Sequence, residues 1–396
     1  MTSFRYPVDR KMITVTVISD LVTDYRVHRI CQTLYNEGYG VHLIGSSNKR
    51  SLALKSRDYQ TDRIRTWFRK SALFYAEFNI RLFFRLLNQK PDIFLGNDLD
   101  VMPATMLSAR LKKRPVVYDS HEYFLGMAGM DKKPFRRSIW KYIEARIFGR
   151  LKYMYTVSDS IRNLYAKIYH ERLFVVRNLP LKNPDNPILT AEESNLLRSI
   201  EERIPENKHL LVFQGAGINE SRGAEELVLS MNFLNASGYH LLIIGGGDVF
   251  PKLIKMVEQH HLEEKITLIP KLPFALLSQL TRKAQLGISI DKSLILNHKY
   301  SLPNKLFEYL HAGVPVLASR LIEQERIINQ FEVGDFIDDY QPEHIAEKIK
   351  GIFANPEQLN RWKQNTCKVK ETLNWENESK IVIDIFKQVE KDSVNS

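Results

Sequence analysis

The chain of 396 residues is poor in cysteine and has no long apolar segment. Its two cysteines, Cys31 and Cys367, lie far apart, which argues against a disulfide framework and against a cysteine metal site. No stretch approaches the roughly eighteen consecutive apolar residues of a membrane span. The opening residues, 1–11, also lack the apolar run of a secretory signal. We therefore expect a cytoplasmic protein.

Several complete nucleotide-binding and hydrolase motifs are missing as well. The dinucleotide fingerprint G-x-G-x-x-G needs a third glycine for close helix packing. That place holds Glu220 in GAGINE and Phe250 in GGGDVF. The chain also contains no Walker lysine loop, no HExxH and no GxSxG. A nicotinamide or flavin dehydrogenase is therefore disfavoured.

Negative charge is scarce in the first half of the chain. Residues 1–180 hold 32 Lys and Arg against 16 Asp and Glu, a net charge of +16. Residues 181–396 hold 25 against 30, a net charge of −5, and the two halves add to the overall +11. A basic half of this kind suits an anionic partner such as a lipid head group, a phosphorylated lipid carrier or nucleic acid. Solubility alone is the alternative reading.

What the chain does contain is a repeated alternation of apolar strands and helices. The first half opens with the β-branched run ITVTVIS, and the second half opens with HLLVFQG. Continuous apolar strands separated by helices indicate parallel sheets covered on both faces. A proline-rich polar segment at 180–208 separates the halves. The pattern predicts an α/β protein with two doubly wound sheets in series.

The segment YSLPNKLFEYLHAGVPVLAS, residues 300–319, places charges at the mouth of an apolar helix. Pro303 suits the start of this helix, and Gly313 suits its left-handed end. Lys305 and Glu308 then lie one turn apart, beside unpaired N–H groups and the positive end of the helix dipole. Such a place suits a phosphate group. The alternative is an ordinary salt bridge between Lys305 and Glu308.

A second turn at a strand end carries another cation. In FQGAGINESRGAEEL, Gly215 and Gly217 follow a strand and let backbone approach a ligand, and Arg222 precedes the next helix. An arginine there can bind a diphosphate from the side opposite Lys305. Both residues lie at the carboxyl edge of the same predicted sheet, where open α/β folds bind ligands. Pairing of Arg222 with Glu225 or Glu226 is the alternative.

These residues together resemble a known family. The segments VVYDSHEYF, YTVSDSIRNLY, VVRNLP, VFQGAGINESRGAEELV and residues 300–319, in this order along the chain, resemble family 4 of the nucleotide-sugar-dependent glycosyltransferases. The likeness is strongest to bacterial members that make surface polysaccharide and lipopolysaccharide. It implies the GT-B fold, in which two Rossmann-like domains face each other across a cleft. The first domain binds the acceptor and the second binds the nucleotide sugar.

The resemblance also implies domain borders and a donor site. We expect an acceptor domain at 1–185, a donor domain at 186–375, and a last helix, 376–396, that crosses back to the first domain. Arg222 and Lys305, with Gly215 and Gly217, are assigned to the donor diphosphate, and Glu308 is assigned to the ribose. Proteins of this fold usually work without a bound metal, so the D-x-D of Asp98 and Asp100 is not expected to bind one, and no cofactor is expected.

In the first domain, the resemblance implies a catalytic region around His121 and Asp98. His121 matches a position that faces the acceptor and the donor sugar, and Asp98 is expected to orient an acceptor hydroxyl. A structural hydrogen bond within the loop is the alternative role for His121. Asp24 and Arg26, in the loop after the first strand, are expected on the acceptor side together with Glu122. A pairing of Asp24 with Arg26 is the alternative.

The sequence departs from the family pattern at two positions. Many members carry a glutamate eight residues before Glu308, where this chain has Tyr300, and an arginine where this chain has Ala216. The donor-sugar region is expected at Tyr300, Ser301, Leu302, Pro303 and Asn304. The family implies a retaining transfer to a glycan or lipid-linked acceptor. A nucleotide-sugar epimerase on the same fold and a non-catalytic sugar-nucleotide-binding protein remain as alternatives.

Two segments of the first half mix cations with aromatic residues. Residues 63–87 and 130–152 interleave Lys and Arg with Trp, Phe and Tyr. This composition suits the head-group layer of a membrane, so we hypothesise peripheral attachment to the inner face of the plasma membrane. In the competing interpretation, the aromatic residues are core residues of Rossmann helices. No nucleic-acid-binding module is evident, so nucleic acid is not expected as a partner.

Overall fold

The computed structural model describes residues 10–49, 51–68, 71–127, 130, 133–168, 173–184 and 189–394. Most of the opening segment, on which the expectation of no secretory signal rested, lies outside the described residues. The same holds for Arg69 and Lys70 of the first basic segment, for Asp131 and Lys132 of the second, and for residues 185–188 of the proline-rich segment between the halves. The chain divides into two compact units, Met1–Asn178 with Asn377–Ser396 and Leu179–Glu376.

The first unit is built on a parallel sheet. Its strands are β1 (Met12–Asp20), β2 (Gly40–Ser47), β3 (Gln60–Arg65), β4 (Ile93–Asn97), β5 (Val116–Ser120), β6 (Tyr153–Thr156) and β7 (Leu173–Val175), in the order β3-β2-β1-β4-β5-β6-β7. Its helices up to residue 178 are α1 (Tyr25–Asn36), α2 (Ser71–Leu87), α3 (Met102–Lys112), α4 (Pro134–Phe148) and α5 (Asp159–Ile168). β1 is buried on both faces, because Ile13 and Val15 point to one side while Thr14 and Thr16 point to the other.

The second unit repeats this plan with a parallel sheet of its own. Its strands are β8 (His209–Gly215), β9 (Tyr239–Gly245), β10 (Ile266–Pro270), β11 (Leu286–Ser289), β12 (Val316–Ser319) and β13 (Gly334–Ile337), in the order β10-β9-β8-β11-β12-β13. Its helices are α6 (Ala191–Glu201), α7 (Ala224–Ser230), α8 (Phe250–Gln259), α9 (Phe274–Lys283), α10 (Leu296–Tyr300), α11 (Asn304–His311), α12 (Ile322–Phe331), α13 (Pro342–Phe353) and α14 (Pro356–Thr372). The predicted α/β class with two Rossmann-like units is confirmed.

In each sheet the strand order reverses at one point, between β1 and β4 in the first unit and between β8 and β11 in the second. At such a point the loops that leave the carboxyl ends of two neighbouring strands run in opposite directions, which is where open α/β sheets bind ligands. The loops after β8 and β11 carry Arg222 and Asp291, and the loops after β1 and β4 carry Asp24 and Asp98. The topology therefore gathers the candidate residues of each unit at one edge of its sheet.

The elements not identified from the sequence include β3, α10 and α14. The edge strand β3, QTDRIR, is polar and half-exposed, so it has no apolar run to reveal it. It also includes Arg63 and Arg65, which means that the first basic segment is part strand and part helix. The short helix α10 and the polar helix α14 were missed too, because neither has a strong apolar period.

The last helix, α15 (Trp375–Val394), leaves the second unit at its first turn and continues in the first. There the backbone N–H of Arg177 donates to Glu378 Oε1 (2.7 Å), and the Tyr153 hydroxyl donates to Asp392. Lys11 forms a further ion pair with Glu390 (2.9 Å). The expected domain borders at 185/186 and 375/376 stay a prediction beside this division. In the described part of the chain, no helix is both long and apolar enough to span a bilayer.

Candidate functional site

Arg222 and Lys305 meet at one carboxylate in the second unit. Nη1 of Arg222 and Nζ of Lys305 each lie 3.3 Å from Oδ1 of Asp291. The Asp291 side chain is fully buried, while the side chains of Lys305 and Arg222 are 10% and 32% exposed. The structure thus brings together the two cations that the sequence assigned to a diphosphate, and the alternative pairing of Arg222 with Glu225 or Glu226 is wrong. Those two glutamates pair with Lys252 and Lys292 instead.

The loop that carries Arg222 is fixed to the end of β11. The backbone N–H of Lys292 donates to the Ser221 carbonyl (2.8 Å). Gly223 has a φ of 74° and begins α7, and an added Cβ there would lie 2.3 Å from the Ile290 carbonyl oxygen. Only glycine fits this close approach. The backbone therefore holds Arg222 beside the residue that follows Ile290, which is Asp291.

Lys305 occupies the first turn of α11 with little access to water. Pro303 caps the amino end of this helix and Gly313 follows its carboxyl end with a φ of 81°, as the sequence predicted. The Lys305 ammonium lies 4.5 Å from the centre of the Phe213 ring and takes Asp291 as its ion-pair partner. Burial lowers the pKa of Lys305, and the Asp291 carboxylate opposes that shift.

Glu308 lies one turn further along α11 and belongs to a second hydrogen-bond chain. Gln214, at the end of β8, donates from Nε2 to Glu308 Oε2 and accepts from the Thr281 hydroxyl (2.7 Å). The backbone N–H of Gln214 donates to the hydroxyl oxygen of Tyr309 (2.9 Å). These contacts fix the side chain of Glu308 near the carboxyl end of the strand. Its assignment to the ribose stays a prediction.

The glycines of the two loops serve different purposes. A Cβ on Gly247 would lie 2.4 Å from the Ile218 carbonyl oxygen, and one on Gly245 would lie 2.0 Å from the Gly215 carbonyl oxygen. GGGDVF is thus glycine-rich because its backbone packs against the neighbouring loop. At Gly215 and Gly217 an added Cβ would make only ordinary contacts, at 3.5 and 3.4 Å. The protein itself leaves room at these two positions, and their role toward a diphosphate stays a prediction.

The segment expected to face the donor sugar joins α10 to α11. Tyr300 ends α10, and the Lys299 ammonium lies 5.7 Å from the centre of its ring. Ser301 donates a hydrogen bond to the His298 carbonyl (3.0 Å), and Leu302 packs against the core beneath. Pro303 and Asn304 then begin α11. A sugar contact from Tyr300 to Asn304 remains a prediction.

In the first unit, His121 lies between two carboxylates. Nδ1 is 3.2 Å from Asp98 Oδ2, and Nε2 is 3.2 Å from Asp119 Oδ2 and 3.3 Å from Asn97 Oδ1. The backbone N–H of His121 also donates to Asp98 Oδ1 (2.8 Å). Because each ring nitrogen faces a carboxylate, the geometry favours the doubly protonated imidazolium.

The protonation of His121 follows from this setting. Burial acts against its positive charge, but Asp98 and Asp119 outweigh burial and raise the pKa of His121 to about 9. Asp119 is buried too, yet Arg26 and His121 lower its pKa below the ordinary value. An imidazolium of this kind donates hydrogen bonds and has no lone pair with which to take up a proton near neutral pH. The catalytic assignment of His121 and Asp98 stays a prediction. As an imidazolium, His121 can serve only as a positive charge or a hydrogen-bond donor.

Asp98 takes a left-handed backbone conformation, which is uncommon for residues other than glycine but is tolerated by Asp and Asn. Its φ is 61°, and its N–H donates to the Asp119 carbonyl (2.8 Å). Asp100 is buried, and burial raises its pKa well above the ordinary value. Among the described residues, no group of three His, Cys, Asp or Glu side chains is arranged to hold a metal ion. The expectation of a metal-free site stays a prediction.

The residues expected on the acceptor side have other partners than expected. Arg26 belongs to the first turn of α1 and not to a loop, and its guanidinium forms two hydrogen bonds with Asp119 (3.1 and 2.8 Å). Asp24 caps α1 by accepting from the Val27 N–H (3.1 Å), so the alternative pairing of Asp24 with Arg26 is wrong. The carbonyl of Glu122 accepts from the Ser120 hydroxyl (2.8 Å). Contact of Asp24, Arg26 and Glu122 with an acceptor stays a prediction.

Comparison with known proteins agrees with these two units. The model of the family described as "Glycosyltransferase Family 4" matches residues 24–179, and that described as "Glycosyl transferases group 1" matches residues 198–369. The chain belongs to glycosyltransferase family 4. Among curated proteins, none matches its sequence.

Solved structures share the GT-B fold of this glycosyltransferase at low identity. A sucrose-phosphate synthase from Thermosynechococcus elongatus has a TM-score of 0.78 and 14% identity, covering 97% of this chain and 100% of its own. HepE of Anabaena, in complex with UDP and glucose, has a TM-score of 0.72 and 11% identity, covering 95% and 99%. The UDP-GlcNAc 2-epimerase of Neisseria meningitidis, bound to UDP-GlcNAc, has a TM-score of 0.63 and 16% identity, covering 96% and 100%.

Asp291 and Gln214 of this family 4 chain were missed by the sequence interpretation. A positional signal existed for both, because Asp291 follows the predicted strand LGISI and Gln214 is the last residue but one of the predicted strand HLLVFQG. Polar residues at the carboxyl ends of adjacent strands meet at one edge of a parallel sheet. The same rule that points to Arg222 and Lys305 thus also points to Asp291 and Gln214.

We predict that the His121 ring titrates with a pKa near 9 in the folded glycosyltransferase. Because this value lies above that of an unfolded histidine, the imidazolium stabilises the fold below about pH 6.5, and this contribution is lost as the pH rises through 9. NMR titration of the ring measures the pKa directly.

The variant Asp98→Asn removes one carboxylate and keeps a residue that tolerates the left-handed backbone. It should lower the pKa of His121, whereas Asp58→Asn, at an exposed position, should not. An unchanged His121 pKa in Asp98→Asn would show that Asp98 does not hold the proton.

Proposed function

We propose that this protein transfers a sugar from a nucleoside-diphosphate sugar to a glycan or lipid-linked acceptor, with retention of anomeric configuration. The transfer would take place in the synthesis of a bacterial cell-surface polysaccharide or lipopolysaccharide. The observation that carries the proposal is the position of Arg222 and Lys305, each 3.3 Å from Asp291 Oδ1 at the carboxyl edge of the second sheet. The complexes of HepE with UDP and glucose and of the epimerase with UDP-GlcNAc support a nucleotide-sugar donor on this fold.

The two cations would act on the leaving group. As the bond between the sugar and the diphosphate breaks, negative charge grows on the departing oxygen, and positive groups that are already in place stabilise that charge. Arg222 would bind through its remaining N–H donors, since the guanidinium carries five and is one-third exposed. Lys305, held by Asp291 and Phe213, would approach the diphosphate from the amino end of α11.

Glu308 would bind the ribose of the nucleotide, and His121 would act near the reacting sugar. In this proposal the Glu308 carboxylate accepts hydrogen bonds from the ribose hydroxyls, while Gln214 holds it in position. The His121 imidazolium supplies a fixed positive charge and hydrogen-bond donor near the reacting sugar, with Asp98 and Asp119 keeping it protonated. No metal ion is needed in this scheme, because cationic side chains and a helix amino end supply the positive charge.

The proposed function is tested by incubating the protein with a panel of nucleoside-diphosphate sugars. Binding should appear as thermal stabilisation by one nucleoside diphosphate and its sugars. A transferase releases the nucleoside diphosphate when its acceptor is present, an epimerase returns an isomeric nucleotide sugar, and a non-catalytic protein binds without turnover. Lack of binding to every member of the panel would overturn the proposal.

Lys305→Ala should weaken the binding of that nucleoside diphosphate by about 1.5 to 3 kcal/mol, the range for hydrogen bonds to charged groups. Isothermal titration calorimetry measures the change. The control is Lys283→Ala, because Lys283 pairs with Glu201 just before the amino end of β11, at the opposite edge of the sheet. Equal affinity of Lys305→Ala and the wild type would remove the diphosphate role from Lys305.

We further propose that the first unit binds anionic membrane surfaces through α4. Phe135, Ile139 and Tyr142 follow one another at helical spacing on the exposed side of this helix, and Phe135 and Tyr142 are 80% and 60% exposed. Exposed cations flank this stripe: Lys133, Arg137, Lys141 and Arg146. Each cation near an anionic lipid surface contributes about 1 kcal/mol. The opposite side of α4, with Trp140, is part of the core, so the competing core interpretation applies to that side only.

Neighbouring α2 extends this surface. Its inner side, with Phe78 and Leu82, is buried, whereas Ile80 and Phe84 are exposed. The two helices are close, since the ring centres of Tyr75 on α2 and Trp140 on α4 lie 5.5 Å apart. Exposed apolar side chains on adjacent helices, interleaved with cations, fit the interfacial layer of a bilayer.

Flotation with lipid vesicles tests the membrane proposal. The protein should float with vesicles of phosphatidylcholine and phosphatidylglycerol, and stay in solution with vesicles of phosphatidylcholine alone. The double variant Phe135→Ser/Tyr142→Ser should float several-fold less, while Phe274→Ser, at an exposed aromatic position of the second unit, should float like the wild type. Equal recovery of the wild type in solution with both vesicle types would end the proposal.

A further inference from the structure

We propose that Asp291 is a fixed counter-anion, which takes the place of the diphosphate in the empty donor site and limits how tightly the released nucleoside diphosphate is held. The inference rests on the proposed function. It concerns the affinity of the site and the release of product, beyond the recognition of the diphosphate itself.

The first step is that Asp291 occupies the meeting point of the two cations. Its Oδ1 receives both Lys305 Nζ and Arg222 Nη1 at 3.3 Å, while its fully buried Oδ2 has no hydrogen-bond partner among the described residues. A buried carboxylate oxygen without a partner costs free energy. Asp291 is thus poorly satisfied as a purely structural group, and its clear partners are the two cations.

The second step is that the peptide unit that follows Asp291 is held in place. Its carbonyl oxygen lies 2.9 Å from the hydroxyl of Tyr340, which is also 2.9 Å from Ser319 Oγ. The following residue, Lys292, donates its backbone N–H to Ser221 (2.8 Å). Both contacts hold the peptide unit between Asp291 and Lys292, and the side chain is short. The negative charge therefore stays beside a bound diphosphate.

The third step is the charge balance. Two cations and one carboxylate leave a single net positive charge to face the diphosphate, and Asp291 repels the ligand across a short distance in a water-poor place. In the free protein the same carboxylate compensates the buried ammonium of Lys305. Asp291 thus stabilises the empty protein and weakens the complex. Both effects favour release of the nucleoside diphosphate, a step that often limits turnover.

The test is Asp291→Asn, which keeps the shape of the side chain and removes its charge. The probe is inorganic pyrophosphate with EDTA, which needs no knowledge of the base, and UDP is measured beside it. The variant should melt at a lower temperature than the wild type without ligand, yet bind pyrophosphate at least about fivefold more tightly. A purely structural Asp291 predicts the lower melting temperature together with weaker binding, because the two cations would lose their positions.

The matched control is Glu323→Gln, at a buried carboxylate of the same unit that pairs with Arg326 on its own helix. This variant should bind pyrophosphate like the wild type. Unchanged or weaker binding by Asp291→Asn overturns the inference, and so does an equal gain in Glu323→Gln. If the wild type binds neither pyrophosphate nor any nucleoside diphosphate, the proposed function and the inference fail together. If the wild type binds and Asp291→Asn gains nothing, only the inference fails.

A second pair of variants applies if Asp291→Asn alone does not fold. Lys305→Met/Asp291→Asn removes the buried ammonium together with its partner, so it leaves no uncompensated charge of that pair. It should bind pyrophosphate more tightly than Lys305→Met alone, because Arg222 is then free of the carboxylate. Equal or weaker binding by the double variant overturns the inference.

Discussion

A buried charge needs a partner, and this requirement shapes both candidate sites. In the second unit, the ammonium of Lys305 is almost out of reach of water, so it depends on Asp291 at 3.3 Å. Arg222 shares the same oxygen. The three residues come from the loop after β8, the end of β11 and the first turn of α11. They converge because the carboxyl ends of neighbouring parallel strands lie side by side where the strand order reverses.

The first unit uses the same arrangement with other residues. Asp119, at the end of β5, is fully buried and holds the guanidinium of Arg26 and the ring of His121. In each unit, then, one buried aspartate at a strand end fixes two cationic groups at the edge of the sheet. The difference lies in the cations. Those of the second unit include an arginine with exposed donors, which suits a phosphate, whereas Arg26 is buried and leaves His121 as the more accessible group.

Much of this arrangement could be predicted from the sequence. The apolar strands and the proline and glycine around α11 predict the parallel sheets and the position of Lys305, because these signals are local. The pairing of charged side chains could not be predicted in this way. Arg222 pairs with Asp291 and not with the nearby Glu225 or Glu226, and Arg26 pairs with Asp119 and not with Asp24. In both cases the alternative considered from the sequence was a partner close in sequence, and the structure has a partner close in space, since sheet topology brings distant strand ends together.

The elements that were missed could not be predicted for a related reason. Strand β3 is identified only by its parallel pairing with β2, because its own residues are polar and half-exposed. The glycines of GGGDVF look like a ligand loop in the sequence, but the structure explains Gly245 and Gly247 by backbone packing against Gly215 and Ile218. Sequence patterns predict helices and strands whose own residues carry an apolar period or a local start and stop signal. They say less about positions whose conformation is set by a contact from elsewhere in the chain.

The central claim is that Arg222 and Lys305 form one diphosphate site at the end of β11. A crystal structure of the protein with its nucleoside diphosphate tests it most directly. The account predicts phosphate oxygens within hydrogen-bond distance of both the Arg222 guanidinium and Lys305 Nζ, with the Asp291 carboxylate still in place behind them. A diphosphate bound away from these two side chains, or in contact with neither, would contradict it.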